Sequence, residues 1–126
     1  MTHISEIRTV GVPVTDQDRA LAFYTGALGF EVLMDAPLPQ LGGRWIVVAP
    51  TGSSASIALV PASESNPAGV DTGIRMASPD AKEAHQHFLT SGVDTDELLE
   101  WPGVPPMFTF RDQDDNGLEI VQDYSG

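Results

Sequence analysis

Cysteine is absent from this chain of 126 residues. Disulfide bonds, thiolate metal ligands and cysteine nucleophiles are therefore all excluded. The absence is compatible with any redox compartment, so it does not locate the protein. The sequence also lacks an apolar run as long as a membrane helix, and residues 1–10 lack the apolar core of a signal peptide. We therefore expect a cytoplasmic protein with no membrane partner.

Positive charge is scarce, because six lysines and arginines stand against 18 aspartates and glutamates, for a formal net charge of −12. Such a chain repels polyanions, so nucleic acid and anionic membrane surfaces are poor candidates for partners. The simplest role of this charge is solubility, and adaptation to high salt is an alternative that composition leaves open. With 41% apolar residues, the chain can bury a core, and its length predicts a single domain over residues 1–126.

Several chemistry-bearing motifs are missing as well. There is no G-x-S-x-G, no P-loop and no Rossmann fingerprint. His85 and His87 lie two residues apart on a predicted helix and therefore point in different directions, so both are expected at solvated or rim positions. Three acidic residues, Asp112, Asp114 and Asp115, lack the twelve-residue pattern of a calcium loop and are expected to belong to a hairpin turn. Three serines are interpreted as turn residues with no histidine placed to activate them: Ser53, Ser54 and Ser56.

In the first half of the sequence, a segment in which valines alternate with other residues is followed by a segment with apolar residues at helical spacing. Across residues 8–15, valines alternate with Thr9, Gly11 and Pro13, which predicts a strand with one apolar face. Pro13 cannot donate to a ladder, so we expect this strand at an edge or beside a bulge. Residues 16–29 carry an apolar stripe at helical spacing. Thr15 or Asp16 is the expected N-cap, and Gly29 is the expected end. The remaining strands are predicted at 30–35, 44–49 and 56–60, with a loop at 36–43.

The second half repeats this order. It predicts a strand at 71–78, a helix from about 80 to 90 that ends at Gly92, a weaker strand at 93–100 and a final pair at 107–111 and 118–122. Residues 112–117 are the predicted turn between the last two strands, and Asn116–Gly117 within them is a strong hairpin signal. Asp16 and Asp80 are both expected to open a helix. We therefore predict a duplicated βαβββ unit, with one module over about residues 5–62 and the other over about 69–124.

Two segments resemble a known family. Residues 16–30, DQDRALAFYTGALGF, are similar to the first helix of the vicinal-oxygen-chelate superfamily, which includes glyoxalases, bleomycin-resistance proteins and extradiol dioxygenases. Residues 110–120, FRDQDDNGLEI, resemble its closing hairpin, although the usual turn there is DPDGN, so Gln113 and Asp115 are departures. The resemblance implies an α+β fold in which two βαβββ modules form a curled mixed sheet, a cup, with the helices outside. It also implies a small-molecule ligand or substrate and a homodimer.

Strand alternation predicts which side chains face the helices and which face the cup. If the valines of the first strand face its helix, Thr9 faces the cup. In the second module Gly73, Arg75 and Glu119 face the cup by the same pattern. The predicted core between helices and sheet consists of apolar side chains: Val12, Val14, Phe23, Tyr24, Leu28, Ile57, Leu59, Ile74, Met76, Phe88, Leu118 and Ile120.

The resemblance also implies where metal-dependent relatives would place their ligands, on the first and last strand of each module. Those positions are Thr9, Ala58, Gly73 and Glu119 in this sequence, and only Glu119 is a typical metal ligand. Because a single carboxylate binds a divalent ion weakly, we predict no metal and no cofactor.

Three functions remain open at this point. The protein could bind a small organic molecule without metal. It could be a glyoxalase-type lyase, isomerase or dioxygenase that depends on metal. It could also be a metal-free enzyme in which Glu119 acts as acid or base. The predicted ligand site pairs Arg75 with Glu119, so that Arg75 anchors an anionic or carbonyl group, and adds Thr9 and an apolar wall from Trp45. A surface salt bridge at the cup rim is the alternative for Arg75.

Overall fold

The computed structural model of the protein describes residues 2–123, and the chain divides between Ala68 and Gly69 into two compact units. Each unit contains one four-stranded mixed sheet and one main helix, in the chain order β-α-β-β-β. The predicted α+β fold with two βαβββ modules is therefore confirmed. Within the described residues, no helix is both long enough and apolar enough to cross a membrane.

The first unit has its strands in the order β1-β4-β3-β2. Its elements are β1 Thr9–Val14, α1 Gln17–Ala22, β2 Glu31–Leu38, β3 Gly43–Ala49 and β4 Ser56–Pro61. β1 pairs in parallel with β4, and the other pairs are antiparallel. Pro13 lies in an edge strand, as predicted from its missing N–H.

The first helix differs from its prediction in its last turns. It continues beyond Ala22 as a π-helical turn, Phe23–Ala27, instead of a regular α-helix to Gly29. The Thr25 hydroxyl donates to the Leu21 carbonyl at 2.7 Å, and Gly26 adds no side-chain support. Both features weaken the α-helical ladder there. Gly29 then ends the helix with a φ of 72°, as predicted.

The loop predicted at residues 36–43 is wrong, because β2 runs on to Leu38. Ala36 pairs with Trp45 of β3. The next residue, Pro37, is tolerated in this strand because β2 lies at the edge of the sheet. A 3₁₀ turn, Pro39–Leu41, follows. The register of β2 also shifts between Val32 and Met34, which breaks the alternation of its side chains.

The second unit has its strands in the order β5-β8-β7-β6. Its elements are β5 Asp71–Ser78, α2 Ala81–Thr90, β6 Asp94–Thr95, β7 Met107–Arg111 and β8 Gly117–Gln122. The strand predicted at 93–100 is thus much shorter, with one additional bridge between Leu99 and Met107. This segment carries acidic residues without alternating apolar partners, so it gains little from pairing along its whole length.

The predicted helix starts are confirmed at both positions. The Asp16 carboxylate accepts a hydrogen bond from the backbone N–H of Arg19 at 3.1 Å. The Asp80 carboxylate accepts one from the backbone N–H of Glu83 at 3.0 Å. Each satisfies an amide that would otherwise have no partner within the helix.

The turn before β8 does not use Asn116–Gly117 as its two central residues. The residue with positive φ is Asp115, at 61°, and Gly117 already pairs with Arg111 in the ladder. The buried Asp112 side chain instead organises a longer turn, since its carboxylate accepts from the backbone N–H groups of Asp114 and Asn116 at 2.9 and 3.0 Å. The turn between β7 and β8 therefore lies within the predicted residues 112–117, and a local side-chain acceptor organises it.

The core of each unit lies between its helix and one face of its sheet. Eight predicted core residues are buried, whereas Phe23, Leu28, Ile74 and Met76 are only half-buried. The prediction missed several large buried side chains: Ile46, Val48, Phe108 and Phe110. His85 is half-buried, in edge-to-face contact with Phe108 at a centroid distance of 5.0 Å, so of the two expected positions it takes one at the rim rather than a fully solvated one.

Candidate functional site

The face of the first sheet that points away from α1 is called here its open face. The register places Thr9 beside Ser56 and Val47 beside Ala58, and alternation along β3 adds Trp45 to the same face. The opposite face carries the buried side chains Val12, Leu59 and others that pack under the helix. The side of Trp45, ambiguous in the sequence, is therefore the open face.

This open face contains a cavity of about 490 Å³, which is within the usual range for small-molecule sites. Its walls combine apolar and polar side chains in similar measure: Glu6, Arg8, Thr9, Leu33, Met34, Trp45, Val47, Ser53, Ser54 and Ser56. The adjacent Leu33 and Met34 are 54% and 51% exposed, and neighbouring exposed apolar side chains can mark a binding site. We name this space the first-unit cavity.

Two hydroxyl groups lie together in the first-unit cavity. Thr9 Oγ1 is 2.7 Å from Ser56 Oγ, and Ser56 Oγ donates to the carbonyl of Arg8 at 3.1 Å. Ser56 begins β4 and is not a turn residue, which corrects the interpretation from sequence. Thr9 and Trp45 therefore both line one cavity that has apolar and polar parts.

Arg75 and Glu119 lie on the open face of the second sheet. They are cross-strand partners in the parallel pair of β5 and β8, and Arg75 Nε is 3.2 Å from Glu119 Oε1. Their side chains are 52% and 32% exposed, so the guanidinium is at the water-facing side of the sheet. Arg75 Nη2 also contacts Met107 Sδ at 3.8 Å. The structure thus brings together the two charged residues that strand alternation had paired.

The first and last strands of each unit pair in parallel in the same way, but different residues occupy the equivalent positions. Gly11 partners Ala58 in the first unit, and Arg75 partners Glu119 in the second. The ion pair of the second unit therefore corresponds to a pair of small residues in the first. At these positions the first open face therefore carries no charge, whereas the second carries an ion pair.

A smaller cavity of about 290 Å³ lies in the second unit, and Glu119 and Thr109 belong to its lining. Arg111 lines it too, but its guanidinium is held by Asp94 at 2.8 Å and by Asp96 at 2.6 Å. These hydrogen bonds from Arg111 hold the pKa of both aspartates below the ordinary value of 3.8. The charge of Arg111 is therefore already neutralised by the protein itself.

The four positions where relatives would hold a metal do not fit one here. The hydroxyl of Thr9 is bonded to Ser56, Ala58 and Gly73 carry no donor side chain, and Glu119 is paired with Arg75. Across residues 2–123, no group of three His, Cys, Asp or Glu side chains is placed to hold a metal ion. A single carboxylate is too few ligands for a protein metal site.

The sequence missed part of this arrangement. Leu33 and Met34 enter the first-unit cavity because of the register shift in β2, which strict alternation cannot predict. Ser56 carried a usable signal, since it alternates with the apolar residues of β4. Asp71 and Asp115, in the second cavity, gave no sign of function in the sequence.

The chain is similar to several proteins of known structure. It is 31% identical to TnmS3, an antibiotic binding protein from Streptomyces sp. CB03234, over 97% of this chain and 98% of that one, with a TM-score of 0.86. It is 29% identical to a member of the glyoxalase/bleomycin resistance protein/dioxygenase superfamily from Sphaerobacter thermophilus DSM 20745, over 97% and 100% of the two chains, with a TM-score of 0.87.

Sequence comparison agrees with the structural similarity. The uncharacterized protein YetH of Bacillus subtilis (strain 168) is 29% identical over 118 residues, which are 90% of this chain and 94% of YetH. The family model matches residues 3–120. The chain therefore belongs to the Glyoxalase/Bleomycin resistance protein/Dioxygenase superfamily.

Proposed function

We propose that the protein binds a small organic molecule of the drug or antibiotic type, and that it does so without a metal ion. The observation that carries this proposal is the first-unit cavity, which has an apolar wall around Trp45 and a volume of about 490 Å³. Ligand sites of this kind are mostly apolar, with a few polar groups that orient the ligand. The similarity to TnmS3, described as an antibiotic binding protein, supports the same function.

Within this proposal, Trp45 supplies a planar surface for an aromatic ligand, and Thr9 supplies a hydrogen-bonding group. Aromatic pairs contribute about 0.5–1.5 kcal/mol beyond the apolar area that they bury. The exposed Leu33 and Met34 become covered when the ligand binds, which removes apolar surface from water. No group in this cavity needs to react, so binding alone accounts for the arrangement.

The experiment is a thermal-shift screen of polycyclic aromatic antibiotics, followed by titration of each hit into three proteins. We expect Trp45→Ala to weaken binding about tenfold or more, which is about 1.4 kcal/mol. Trp101→Ala is the matched control, since Trp101 is the other tryptophan of the chain, is 60% exposed and does not line the first-unit cavity. Equal affinity of the wild type and Trp45→Ala would remove the basis of the proposal.

We also propose that Arg75, on the open face of the second unit, binds an anionic or carbonyl group of a small molecule. Its guanidinium is 52% exposed and uses only Nε for Glu119, so further N–H groups point toward water. Titration with 2-naphthoate tests this directly. Arg75→Ala should lower the affinity severalfold, whereas Lys82→Ala, which removes one exposed cation from α2, should leave it unchanged. Equal losses of affinity in both variants would show that Arg75 acts only through its positive charge and not by contacting the ligand.

The role of Glu119 as an acid or base stays a prediction. Its carboxylate is paired with Arg75 and lies among the polar groups of the second cavity, so its surroundings differ from the apolar cup that this role assumes.

We further propose the homodimer that the family resemblance implied, and sedimentation of the 13.4 kDa chain would show whether its mass doubles in solution.

A further inference from the structure

For the two hydroxyl groups in the first-unit cavity, one order of donor and acceptor makes both of their contacts hydrogen bonds. The carbonyl of Arg8 can only accept, so the 3.1 Å contact requires Ser56 to donate its single proton there. Ser56 then has no proton left for Thr9. The 2.7 Å contact between the two hydroxyls is a hydrogen bond only if Thr9 donates to Ser56. One arrangement of protons therefore satisfies both contacts.

This order determines what Thr9 offers to a ligand. Its proton is used by Ser56, and its oxygen keeps lone pairs that accept hydrogen bonds. Among the residues that the structure describes, Thr9 Oγ1 has Ser56 as its one hydrogen-bond partner. Because Thr9 lines the cavity and is only half-buried, a bound molecule can reach this acceptor.

The other side-chain donors that line the cavity are the hydroxyls of Ser53 and Ser54, the guanidinium of Arg8 and the indole N–H of Trp45. Ser53 donates its proton to the carbonyl of Ala55 at 2.6 Å. Arg8 is a donor, but its side chain is 86% exposed and therefore belongs to the mouth. The apolar part of the cavity lining consists of Leu33, Met34, Trp45 and Val47.

We propose that the first-unit cavity selects aromatic alcohols, with the ring against Trp45 and the ligand hydroxyl donating to Thr9. Ethers and carbonyl groups at the same position are disfavoured, because they meet an acceptor without a proton. Thr9 is thus a specificity-determining residue, and Ser56 is a positioning residue that keeps the Thr9 proton occupied. The inference rests on the proposed function, and it adds the chemical class of the ligand.

The test compares 2-naphthol with 2-methoxynaphthalene, which differ by replacement of the hydroxyl proton with a methyl group. Affinities are measured on the full chain by titration calorimetry, and the Trp45 indole N–H signal is followed by NMR to show where the compounds bind. A neutral hydrogen bond corresponds to a preference of about three- to tenfold. We expect the wild type to prefer 2-naphthol by this factor.

Three variants separate the hydrogen bond from size and polarity. Thr9→Val keeps the shape but removes the acceptor, so it should bind the two compounds equally. Thr9→Ser should keep the preference of the wild type. Ser56→Ala frees the Thr9 proton, so Thr9 can then donate to the ether oxygen, and the preference should shrink. Because each result is a ratio of two affinities within one protein, a general loss of stability does not imitate it.

The possible failures are distinguishable. If the wild type binds both compounds equally at Trp45, or if Thr9→Val retains the preference, the inference about Thr9 is wrong and the proposed function stands. If neither compound shifts the Trp45 signal at millimolar concentration, both the inference and the proposed site are wrong.

Discussion

Truncation of Phe88 to alanine tests the support beneath the second open face. Phe88 is 8% exposed, and its ring packs edge-to-face against Phe108 and Phe110. The ring centroids are 5.5 and 4.9 Å apart, respectively. These two rings belong to β7 and flank Thr109, which faces the second cavity. Phe88 therefore joins α2 to the strand that carries part of that cavity.

The magnitude follows from these contacts. Burial of a phenylalanine side chain contributes about 1.5–3 kcal/mol, and each edge-to-face pair adds about 0.5–1.5 kcal/mol. The surrounding rings cannot fully close the space that alanine leaves. We expect Phe88→Ala to lower the free energy of unfolding by about 3–5 kcal/mol, which corresponds to a decrease in Tm of about 10–20 °C for a domain of this size.

Urea unfolding followed by circular dichroism measures the change. The control is Leu89→Ala, one residue further along α2, where the side chain is 48% exposed. Its expected cost is at most about 1 kcal/mol, because much of the leucine already contacts water. A cost for Phe88→Ala no greater than that for Leu89→Ala would refute the assignment of Phe88 to the core.

Three further predictions concern the second unit and the metal. Asn116→Ala should lower the free energy of unfolding, measured in urea, by about 2–4 kcal/mol. The reason is that the side-chain oxygen of the fully buried Asn116 accepts hydrogen bonds from two backbone N–H groups at 2.9 and 3.1 Å. A near-neutral result would contradict this role. Arg111 lowers the pKa of Asp94 and Asp96, so their contribution to stability is present above pH 3.8 and is lost as the pH falls below that value. The Tm of the wild type should therefore fall more steeply below pH 4 than that of the Asp94→Asn, Asp96→Asn double variant, and parallel curves would count against the clamp. Elemental analysis of the purified protein should find no stoichiometric divalent metal, and EDTA should leave Tm unchanged; one tightly bound ion per chain would revive the metal-dependent alternative.

Much of the fold could be predicted because its signals are local. Asp16 and Asp80 cap their helices through amides three residues away, so a short segment contains both partners. Gly29 and Gly92 have positive φ, which glycine adopts without strain. The errors arose where a distant partner decides the outcome. Residues 36–38 became strand because β3 pairs with them, although proline there favours a loop.

The candidate site, like the fold, could be predicted only in part from the sequence. The alternation of valines in β1 and the charges of Arg75 and Glu119 were sufficient to predict open-face positions, since a side chain's face depends only on its place in the pleat. The shape of the first-unit cavity was not predictable. It depends on the register shift between Val32 and Met34, and a shift of one residue moves the following side chains to the other face.

By itself, the sequence determined the repeated βαβββ order, the helix ends, the acidic charge and the scarcity of metal ligands, because each of these depends on residue type and near neighbours. Tertiary structure decided which residues meet across the sheets. Thr9 meets Ser56 47 positions away, and Arg75 meets Glu119 44 positions away. Such pairs depend on strand register, which is chosen by burial and hydrogen bonding over the whole sheet. The order of protons between Thr9 and Ser56, and with it the proposed preference for aromatic alcohols, could therefore come only from the folded protein.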